Sequence, residues 1–415
     1  MSNPSSPVHG RASHGKPRKS KRKLKKLIRT PFRILVASIL IVPYLIPSLV
    51  LRATRFRFVV NTNPGRIGHL AAEFDCFLKE MALGIRPRAR PICLLSAEDV
   101  ANPCLLEYWG DHLRLVHSPI ARALLRPFLY FPYLRISLLD TVTALGATAS
   151  YPAVLAQWGS RAPLLSLRRE HEIRGEEVLR KLGIPEDAWF VCVHSREGGY
   201  SPRDEYLHAY RNSAIGDYGP AMEAIVERGG FCIRMGDATM APLPETDGIV
   251  DYARSSLKSD WMDIFLCART HFFLGNTSGL CIVSTIFGRP SALANMTPLA
   301  AAYPVGTADL GIPMLLERVS GEAIPFGEAL RAPMADFRWA ELYEENGLRT
   351  VNNSPEEIRD LAVEMLDRLE GKPRDGAEDE QRQEAFRKHY RPGHYTYGAA
   401  SRIGSAFLEK YAQLI

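Results

Sequence analysis

The sequence predicts an α/β protein with two domains, each built on a parallel sheet, and a ligand cleft between them. Its 415 residues are enough for two or three domains. The hydrophobic content of 46% and the charged content of 24% are those of an ordinary globular protein. Apolar strand-like runs alternate with helical stretches twice along the chain, which is typical of parallel α/β domains. Two such domains in tandem place a ligand between the carboxyl ends of their strands.

The basic charge of the chain is concentrated at its N-terminus. Residues 1–33 contain eleven Lys and Arg and no acid, and the first acidic residue is Glu73. The formal net charge is +6, so the rest of the chain carries 6 − 11 = −5. We therefore predict a disordered polybasic arm over 1–33 and a mildly acidic body. That charge argues against nucleic acid as a partner.

Residues 34–51 form an apolar run without charge, and we predict a membrane anchor over 34–54. A helix of this length would be ~27 Å long, barely a membrane span, and Pro43 and Pro47 interrupt it. Arg52 follows the run, so a cleaved signal peptide fits poorly. Basic residues on both flanks favour two cytoplasmic ends, hence a re-entrant or interfacial segment near anionic lipid. A single span and a buried core helix are the alternatives.

The predicted first domain covers 55–185. Residues 56–60 read as a strand, a turn-rich loop follows, and a helix runs from His69 to about residue 83. Residues 91–95 read as a second strand. The aromatic-rich stretch 111–135 reads as a helix pair or as a second membrane-contacting surface.

The predicted second domain covers 186–335 and repeats the alternation of strands and helices. Strands are expected at 189–193, 231–237, 271–275 and 290–295, with helices near 218–229, at 260–269 and from residue 280. We predict a helical region over 336–415, with helices at 355–370 and 400–413 and a solvated linker at 371–380 between them.

Several sequence patterns are absent, and their absence excludes classes of function. The chain has no GxxxxGK[ST] loop and no GxSxG elbow, which excludes P-loop nucleotidases and hydrolases of the elbow type. No DxD follows a strand, so we predict neither a metal ion nor another cofactor. The seven cysteines lack zinc-site spacing and read as small buried thiols in a reducing compartment.

Two candidate anion-binding positions follow strands of the second domain. Arg196, in a Gly-rich stretch after the first strand, has the planar fork that suits a diphosphate. The alternative interpretation is that this stretch is an ordinary polar strand end without a ligand. Arg234 lies in an apolar strand ahead of Gly236 and Asp237, where an unpaired charge would be costly. It is expected to serve a ligand or to form a structural ion pair with Asp251.

Two Gly-containing loops are further candidates. The loop Asn276, Thr277, Ser278 and Gly279 precedes a helix, where backbone N–H groups and the helix dipole favour a phosphate. Capping of that helix by Thr277 or Ser278 is the alternative. In the first domain, Arg66, Gly68 and His69 open a helix after a strand, and His69 is a candidate base or a structural histidine.

Five motifs together resemble a family of bacterial glycosyltransferases associated with surface-polysaccharide loci. They are Tyr210-Arg-Asn-Ser213, Arg234-Met-Gly-Asp237, Asp251-Tyr252, Lys258-Ser-Asp-Trp-Met-Asp263 and Phe273-Leu-Gly-Asn-Thr-Ser-Gly279. The strand followed by His194-Ser-Arg196 is distantly similar to fucosyltransferase-like enzymes. The resemblance implies the GT-B fold, two Rossmann-like domains facing a cleft.

The resemblance also implies roles for the candidate residues. Arg196 and Arg234 would neutralise the diphosphate of a nucleotide sugar, and the 276–279 loop would hold phosphate. Asp237 or Asp251 would bind ribose or donor-sugar hydroxyls, with Arg211 facing the cleft as a catalytic residue. Arg66, Gly68 and His69 would lie on the acceptor side.

The expected function is therefore transfer of a sugar from a nucleotide diphosphate to a lipid-linked or polysaccharide acceptor, without a metal. The expected place is the cytoplasmic face of a bacterial inner membrane, in polysaccharide or lipopolysaccharide biosynthesis. Two alternatives stay open. One is a non-catalytic nucleotide-sugar-binding or scaffold subunit of a membrane polysaccharide assembly complex. The other is a different transferase on the same fold, such as a polyol-phosphate transferase.

Overall fold

The computed structural model describes residues 42–138, 151–199, 205–301, 306–373 and 375–415. The strands are β1 Phe56–Val60, β2 Arg90–Cys93, β3 Arg114–Leu115, β4 Arg135–Ser137, β5 Phe190–His194, β6 Phe231–Arg234, β7 Ile249–Val250, β8 Phe273–Gly275, β9 Ser291–Met296, β10 Leu310–Pro313, β11 Leu315–Arg318, β12 Leu348–Val351 and β13 Arg402–Ile403. The predicted arm over 1–33 and the first part of the predicted anchor, 34–41, lie outside the described residues.

The described α-helices are numbered in chain order. They are α1 Leu45–Ala53, α2 Ile67–Ala82, α3 Pro103–Trp109, α4 Pro119–Leu125, α5 Tyr151–Trp158, α6 Arg169–Lys181, α7 Glu205–His208, α8 Gly219–Glu227, α9 Asp260–Arg269, α10 Gly279–Ile286, α11 Phe326–Ala329, α12 Ala340–Glu345, α13 Pro355–Leu369, α14 Ala377–Arg387 and α15 Ser405–Lys410. No helix in these ranges is both long enough and apolar enough to cross a membrane.

Two parallel sheets confirm the expected α/β class. The first has the strand order β3-β2-β1-β4, and the second has the order β13-β10-β9-β8-β5-β6-β7. All pairs within these two sheets are parallel. The strands of a parallel sheet end at the same edge, so the loops that follow β1, β5, β6 and β8 are placed where ligands bind in such folds.

The first sheet is covered by different helices on its two faces. Side chains alternate along a strand, so Val59 and Cys93 join the main core together with α2, whereas Phe58 and Ile92 face the other way. On that second side a smaller cluster forms with Phe128, from a 3-10 helix over Arg126–Tyr130, and with residues of α1 and α4. The predicted helix pair at 111–135 is thus one α-helix and one 3-10 helix between β3 and β4.

The described part of the predicted anchor, 42–54, lies on this second side of the first sheet. Its helix α1 has nine residues, and Ser48 is buried where its hydroxyl lies 2.5 Å from the hydroxyl of Tyr133. The rings of Tyr44 and Phe128 pack edge to face, 4.9 Å apart. This segment is therefore packed against the first domain. The predicted re-entry into a membrane stays a prediction.

The region after residue 335 is less helical than the sequence suggests. Arg402–Ile403, inside the predicted last helix, forms the edge strand β13 beside β10. The predicted linker 371–380 instead runs into helix α14, which begins at Ala377. That helix was missed because few of its residues are apolar. It is held by charge pairs, in which Arg402 contacts Asp379 at 2.5 Å and Glu380 at 2.5 Å. The predicted boundaries at 185 and 335 stay predictions.

Candidate functional site

The first turns of two helices touch at the carboxyl edges of the two sheets. Helix α2 follows β1 and helix α10 follows β8. A Cβ atom added to Gly68 would lie 2.8 Å from the Cα of Gly279, and one added to Gly279 would lie 2.8 Å from the backbone nitrogen of Gly68. Only glycine at both positions allows this approach of the two backbones. The positive ends of both helix dipoles therefore point into one region, which favours an anion there.

His69 is fixed beside this contact by a buried carboxylate. Its Nδ1 lies 2.9 Å from Oε1 of Glu73, which is fully buried one turn further along α2. The same carboxylate accepts bonds from the backbone N–H of Thr62 at 3.1 Å and from its hydroxyl at 2.7 Å. Because a carboxylate only accepts, this contact requires a proton on Nδ1 of His69, so the lone pair of the neutral imidazole is on Nε2. A partly exposed histidine in this tautomer is suited to act as a general base.

Asn276 ties together the loops of the second domain. Its Oδ1 accepts from the backbone N–H of Arg196 at 3.0 Å. Its Nδ2 donates to the carbonyl of Arg211 at 3.0 Å and to the hydroxyl of Ser213 at 3.1 Å. The amide is fully buried and already hydrogen-bonded on both of its ends. Asn276 therefore positions the two arginine-bearing segments, which differs from the ligand-binding role that the sequence suggests.

Two guanidinium groups lie beside the 276–279 loop. Arg211 donates from Nη2 to the carbonyl of Thr277, and its buried Nε has no hydrogen-bond partner among the described residues. Arg196 donates to the side chain of Asn212 and contacts Glu205 at 3.4 Å. Burial lowers the pKa of Arg196, and the nearby charge of Arg211 lowers it further. Arg211 thus adds positive charge next to the 276–279 loop, whereas the charge of Arg196 is offset by Glu205.

Thr277 and Ser278 complete the loop ahead of α10. The hydroxyl of Thr277 donates to the carbonyl of Thr297 at 3.3 Å. Ser278 occupies the N-cap position, but its hydroxyl makes no capping bond, and it has no hydrogen-bond partner among the described residues. Side-chain capping therefore does not account for this loop. Its free hydroxyl and the first N–H groups of α10 are suited to an anionic ligand.

Arg234 forms ion pairs with carboxylates of the protein. It is fully buried, and it contacts Asp251 at 3.0 Å and Glu197 at 3.4 Å. This is the structural ion pair with Asp251 that was the alternative reading, extended by a second carboxylate. Arg234 is thus held by charged partners inside the protein, whereas Asp251 is partly exposed. The predicted roles of Arg234 at a diphosphate and of Asp251 at a sugar hydroxyl stay predictions.

Gly236 and Asp237 belong to the same structural cluster, in the loop after β6. Gly236 has φ +143°, and a Cβ there would meet the sulfur of Met240 at 2.3 Å. Asp237 accepts from the backbone N–H of Thr239 at 2.8 Å through Oδ1. Its Oδ2 is buried without a partner among the described residues, so one oxygen remains for a ligand.

The structure thus divides the predicted site into two groups. In the first group, His69 and the exposed N-cap residue Arg66 lie within two residues of Gly68, which contacts Gly279 of the second domain. Within the second domain, Ser278 precedes Gly279, Arg211 bonds to Thr277, and Arg196 bonds to Asn276. The group of Arg234, Gly236, Asp237 and Asp251 stabilises a neighbouring loop. Sequence reasoning missed Glu73. Its spacing four residues after His69 on a helix, and its place as the first acid of the chain, were the available signals.

Within the described ranges, one set of three acids lies close enough together to hold a cation, and it is remote in sequence from this site. It consists of Asp375, Asp379 and Glu380. Arg402 contacts all three, and Arg368 also contacts Asp375. These arginines already balance the acidic charge, so the set reads as an ion-pair network.

No protein-family model matches the sequence, and no curated protein does. Solved structures with a partly similar chain path are glycosyltransferases. The glycosyl transferase family 9 protein of Veillonella parvula shares 13% identity over 59% of this chain and 80% of its own, with a TM-score of 0.36. The E. coli ADP-heptose lipopolysaccharide heptosyltransferase II shares 14% identity over 70% and 98%, with a TM-score of 0.38. The iron-containing dodecameric glycosyltransferase TibC of enterotoxigenic E. coli shares 11% identity over 62% of each chain, with a TM-score of 0.37.

Likeness at this level assigns neither a family nor a function. The predicted similarity to fucosyltransferase-like enzymes and to surface-polysaccharide loci stays a prediction.

Proposed function

We propose that this protein is a glycosyltransferase of the two-domain GT-B kind that uses a nucleotide-diphosphate sugar. The observation that carries the proposal is the contact of Gly68 with Gly279. At this contact a partly exposed histidine held by a buried glutamate, in one domain, lies near an arginine-flanked helix end of the other domain. A base and an anion site on opposite sides of a cleft are what a sugar transfer with a diphosphate leaving group needs.

The proposed roles follow from the contacts. Nε2 of His69 takes the proton of the acceptor hydroxyl as its oxygen bonds to the anomeric carbon of the donor. The bond from that carbon to the diphosphate breaks, and the leaving group keeps the electron pair. Arg211, the hydroxyl of Ser278 and the N-termini of α2 and α10 stabilise the charge that develops there. Glu73 holds the imidazole and stabilises its protonated form.

The rest of the proposal concerns partners and place. The acceptor is a lipid-linked or polysaccharide glycan, and the reaction needs no metal because arginine and helix ends meet the diphosphate charge. The chain works at the cytoplasmic face of a bacterial inner membrane, attracted to anionic lipid by its basic N-terminal arm. The support is the run of eleven basic residues in 1–33.

One observation favours the scaffold alternative. Arg196 is already held by Glu205 and by the side chain of Asn212, so its guanidinium is largely satisfied without a ligand. A subunit that binds a nucleotide sugar without turning it over would need only the helix ends and Arg211.

Binding of nucleotides measured by thermal shift tests the proposal. UDP, GDP, CMP and ADP are each added to the full chain, to Arg211→Ala and to the control Arg349→Ala, whose exposed side chain pairs with Glu317. We expect one nucleoside diphosphate to raise the Tm of the wild type and of the control but not of Arg211→Ala. If none of the four raises the Tm of the wild type, the proposal fails.

Turnover then separates the enzyme from the scaffold. The sugar conjugates of the stabilising nucleotide are incubated with the wild type and with His69→Gln, and release of the nucleotide is followed. An enzyme loses this release in His69→Gln while it keeps the thermal shift. Stabilisation without any release, and without loss of binding in Arg196→Ala, would favour the scaffold.

A further inference from the structure

The outer side of the first domain carries a concentration of exposed apolar side chains. We call it the α1–α4 face, and it consists of Val42, Leu45, Ile46, Leu49, Val50, Ile120, Leu124 and Tyr130. Fifteen large apolar side chains are exposed in the described part of the chain, and these eight are among them. More than half of the exposed apolar residues thus lie on four short elements, namely α1, α4, a 3-10 helix over Val42–Tyr44 and the 3-10 helix over Arg126–Tyr130. Concentrations of this kind mark surfaces that bind a partner or a membrane.

The side of these elements opposite to the α1–α4 face packs on the first sheet. The inner sides of the same elements, through Leu51, Leu125 and Phe128, pack on Phe58 and Ile92 of the first sheet. The rings of Phe58 and Phe128 stack with centroids 5.6 Å apart. Helix α1 therefore has apolar side chains on its exposed side as well as on its packed side, where Ser48 is the buried polar exception. Exposed apolar side chains opposite a packed side fit contact with a partner or with lipid.

The segments that form the face carry charge of one sign, and the exposed Asp99 of a neighbouring segment is the exception, because it interacts electrostatically with Arg122 and Arg126. Residues 42–60 and 114–138 contain seven arginines and no acid. Arg52, Arg55, Arg126 and Arg135 are exposed, and Arg52 lies over the ring of Tyr133, 5.2 Å from its centre. The chain as a whole is acidic after residue 33, so this cluster is a local exception. Apolar side chains bordered by arginine match the boundary between acyl chains and anionic headgroups.

The part of the chain that precedes the face is likewise apolar and basic. It reaches the face at Val42, and the residues before that point are the apolar stretch 34–41 and the basic stretch 1–33. A protein partner would have to be acidic as well as apolar to match this surface. An anionic membrane offers both properties over an unlimited area.

We propose that the α1–α4 face lies on an anionic membrane, with its apolar side chains among the headgroups and upper acyl chains and its arginines at the lipid phosphates. The first domain would thus contact the membrane through a folded surface formed by parts of the chain that are about 70 residues apart, in addition to the arm before it. This inference does not depend on the proposed transferase activity, because it rests on the surface alone.

Vesicle flotation with the full chain tests the proposal. The vesicles contain phosphatidylcholine alone or phosphatidylcholine with about 30% phosphatidylglycerol, which supplies the anionic headgroups. The variant is Ile120→Asp with Leu124→Asp, because α4 is far in sequence from the arm. The matched control is Val319→Asp, which changes an equally exposed apolar side chain elsewhere. All three proteins should have similar Tm values, because the changed side chains are exposed.

We expect the wild type and Val319→Asp to float with the anionic vesicles. The double variant should bind them at least about tenfold more weakly, because two inserted apolar side chains become charged. Equal binding by the double variant would show that the arm alone holds the protein, and it would overturn the proposal. A dimer that the same two substitutions dissociate without lipid would also overturn it, because the face would then be an interface between copies.

Discussion

Glu73 holds His69 from one helical turn away, with 2.9 Å between Oε1 and Nδ1, and is itself fully buried. The exposed partner can therefore exchange a proton with a substrate while the buried one stays in place. We expect His69→Gln to lower turnover by about 10²–10⁴-fold, the range for loss of a general base. The measurement is kcat for nucleotide release, with binding of the nucleotide checked by thermal shift. Unchanged kcat would remove His69 from the chemistry.

Glu73→Gln tests the positioning role separately. Glutamine keeps the volume and one carbonyl acceptor but loses the charge, so we expect kcat to fall by about 10–100-fold, as for other residues that orient a functional histidine. KM for the donor should change little, because Glu73 is fully buried and cannot contact the donor directly. The pH dependence of kcat should also change in this variant. A rise in KM with constant kcat would indicate a purely structural role.

Gly68→Ala tests the contact between the two domains. The added methyl carbon would lie 2.8 Å from the Cα of Gly279, where neither backbone can yield without moving a helix. We expect a loss of about 1–3 kcal/mol in the free energy of unfolding and weaker nucleotide binding. Urea unfolding and thermal shift measure the two effects. The control is Gly65→Ala, three residues earlier, where a methyl group would contact nothing within 4 Å.

Asn276→Ala tests the amide that joins the arginine-bearing segments. It removes three hydrogen bonds in a buried position, and the groups left without partners cost about 1–3 kcal/mol each when they cannot reach water. We expect a loss of about 2–5 kcal/mol in urea unfolding. Asn346→Ala, at an exposed amide bonded to Leu342, should stay within about 0.5 kcal/mol. A small effect at Asn276 would mean that the loops hold each other without it.

His194 makes stability depend on pH. Burial lowers its pKa to about 4, while Nδ1 lies 3.2 Å from the carbonyl of Met235. In the unfolded chain its pKa is near 6.5. The unfolded state therefore binds the proton first as the pH falls, and stability is fully present above about pH 6.5 and is lost down to about pH 4.

The shift corresponds to roughly 3 kcal/mol over that interval. In His194→Gln the amide can still donate to the carbonyl of Met235 but does not titrate. We expect the wild type to lose more stability than this variant between pH 7 and pH 4.5, measured by urea unfolding. Parallel pH profiles for the two proteins would contradict the assignment.

The regular elements were predictable where apolar periodicity is strong. The strands at 56–60 and 190–194 and the helices at 260–269 and 355–369 lie close to their predicted positions because each buries an apolar face. The two-residue strand β13 was not predictable, since nothing local distinguishes it from the helix that follows. It exists because β10 offers it a free edge.

The sequence indicated some of the residues of the candidate site but not how they contact one another. The Gly-containing loops at 65–68 and 275–279 were predicted to hold a substrate and a phosphate, and these roles stay predictions. The contact between the two loops was not predicted. The role of Arg234 was not decidable from sequence, because its two carboxylate partners, Glu197 and Asp251, come from different loops. Pairing of this kind depends on the tertiary arrangement and leaves no local pattern.

The glycine contact also has a mechanical consequence. Two backbones that touch at Gly68 and Gly279 have no compressible side chain between them. If the two domains move relative to each other, this point is a natural pivot, since sliding would drive one backbone into the other. His69 and Ser278 are next to the pivot in sequence and would move least, while the outer rims of the two domains would swing through larger arcs. Under the proposed function, the acceptor and the nucleotide would then be exchanged at the rim while His69 and Ser278 keep their places.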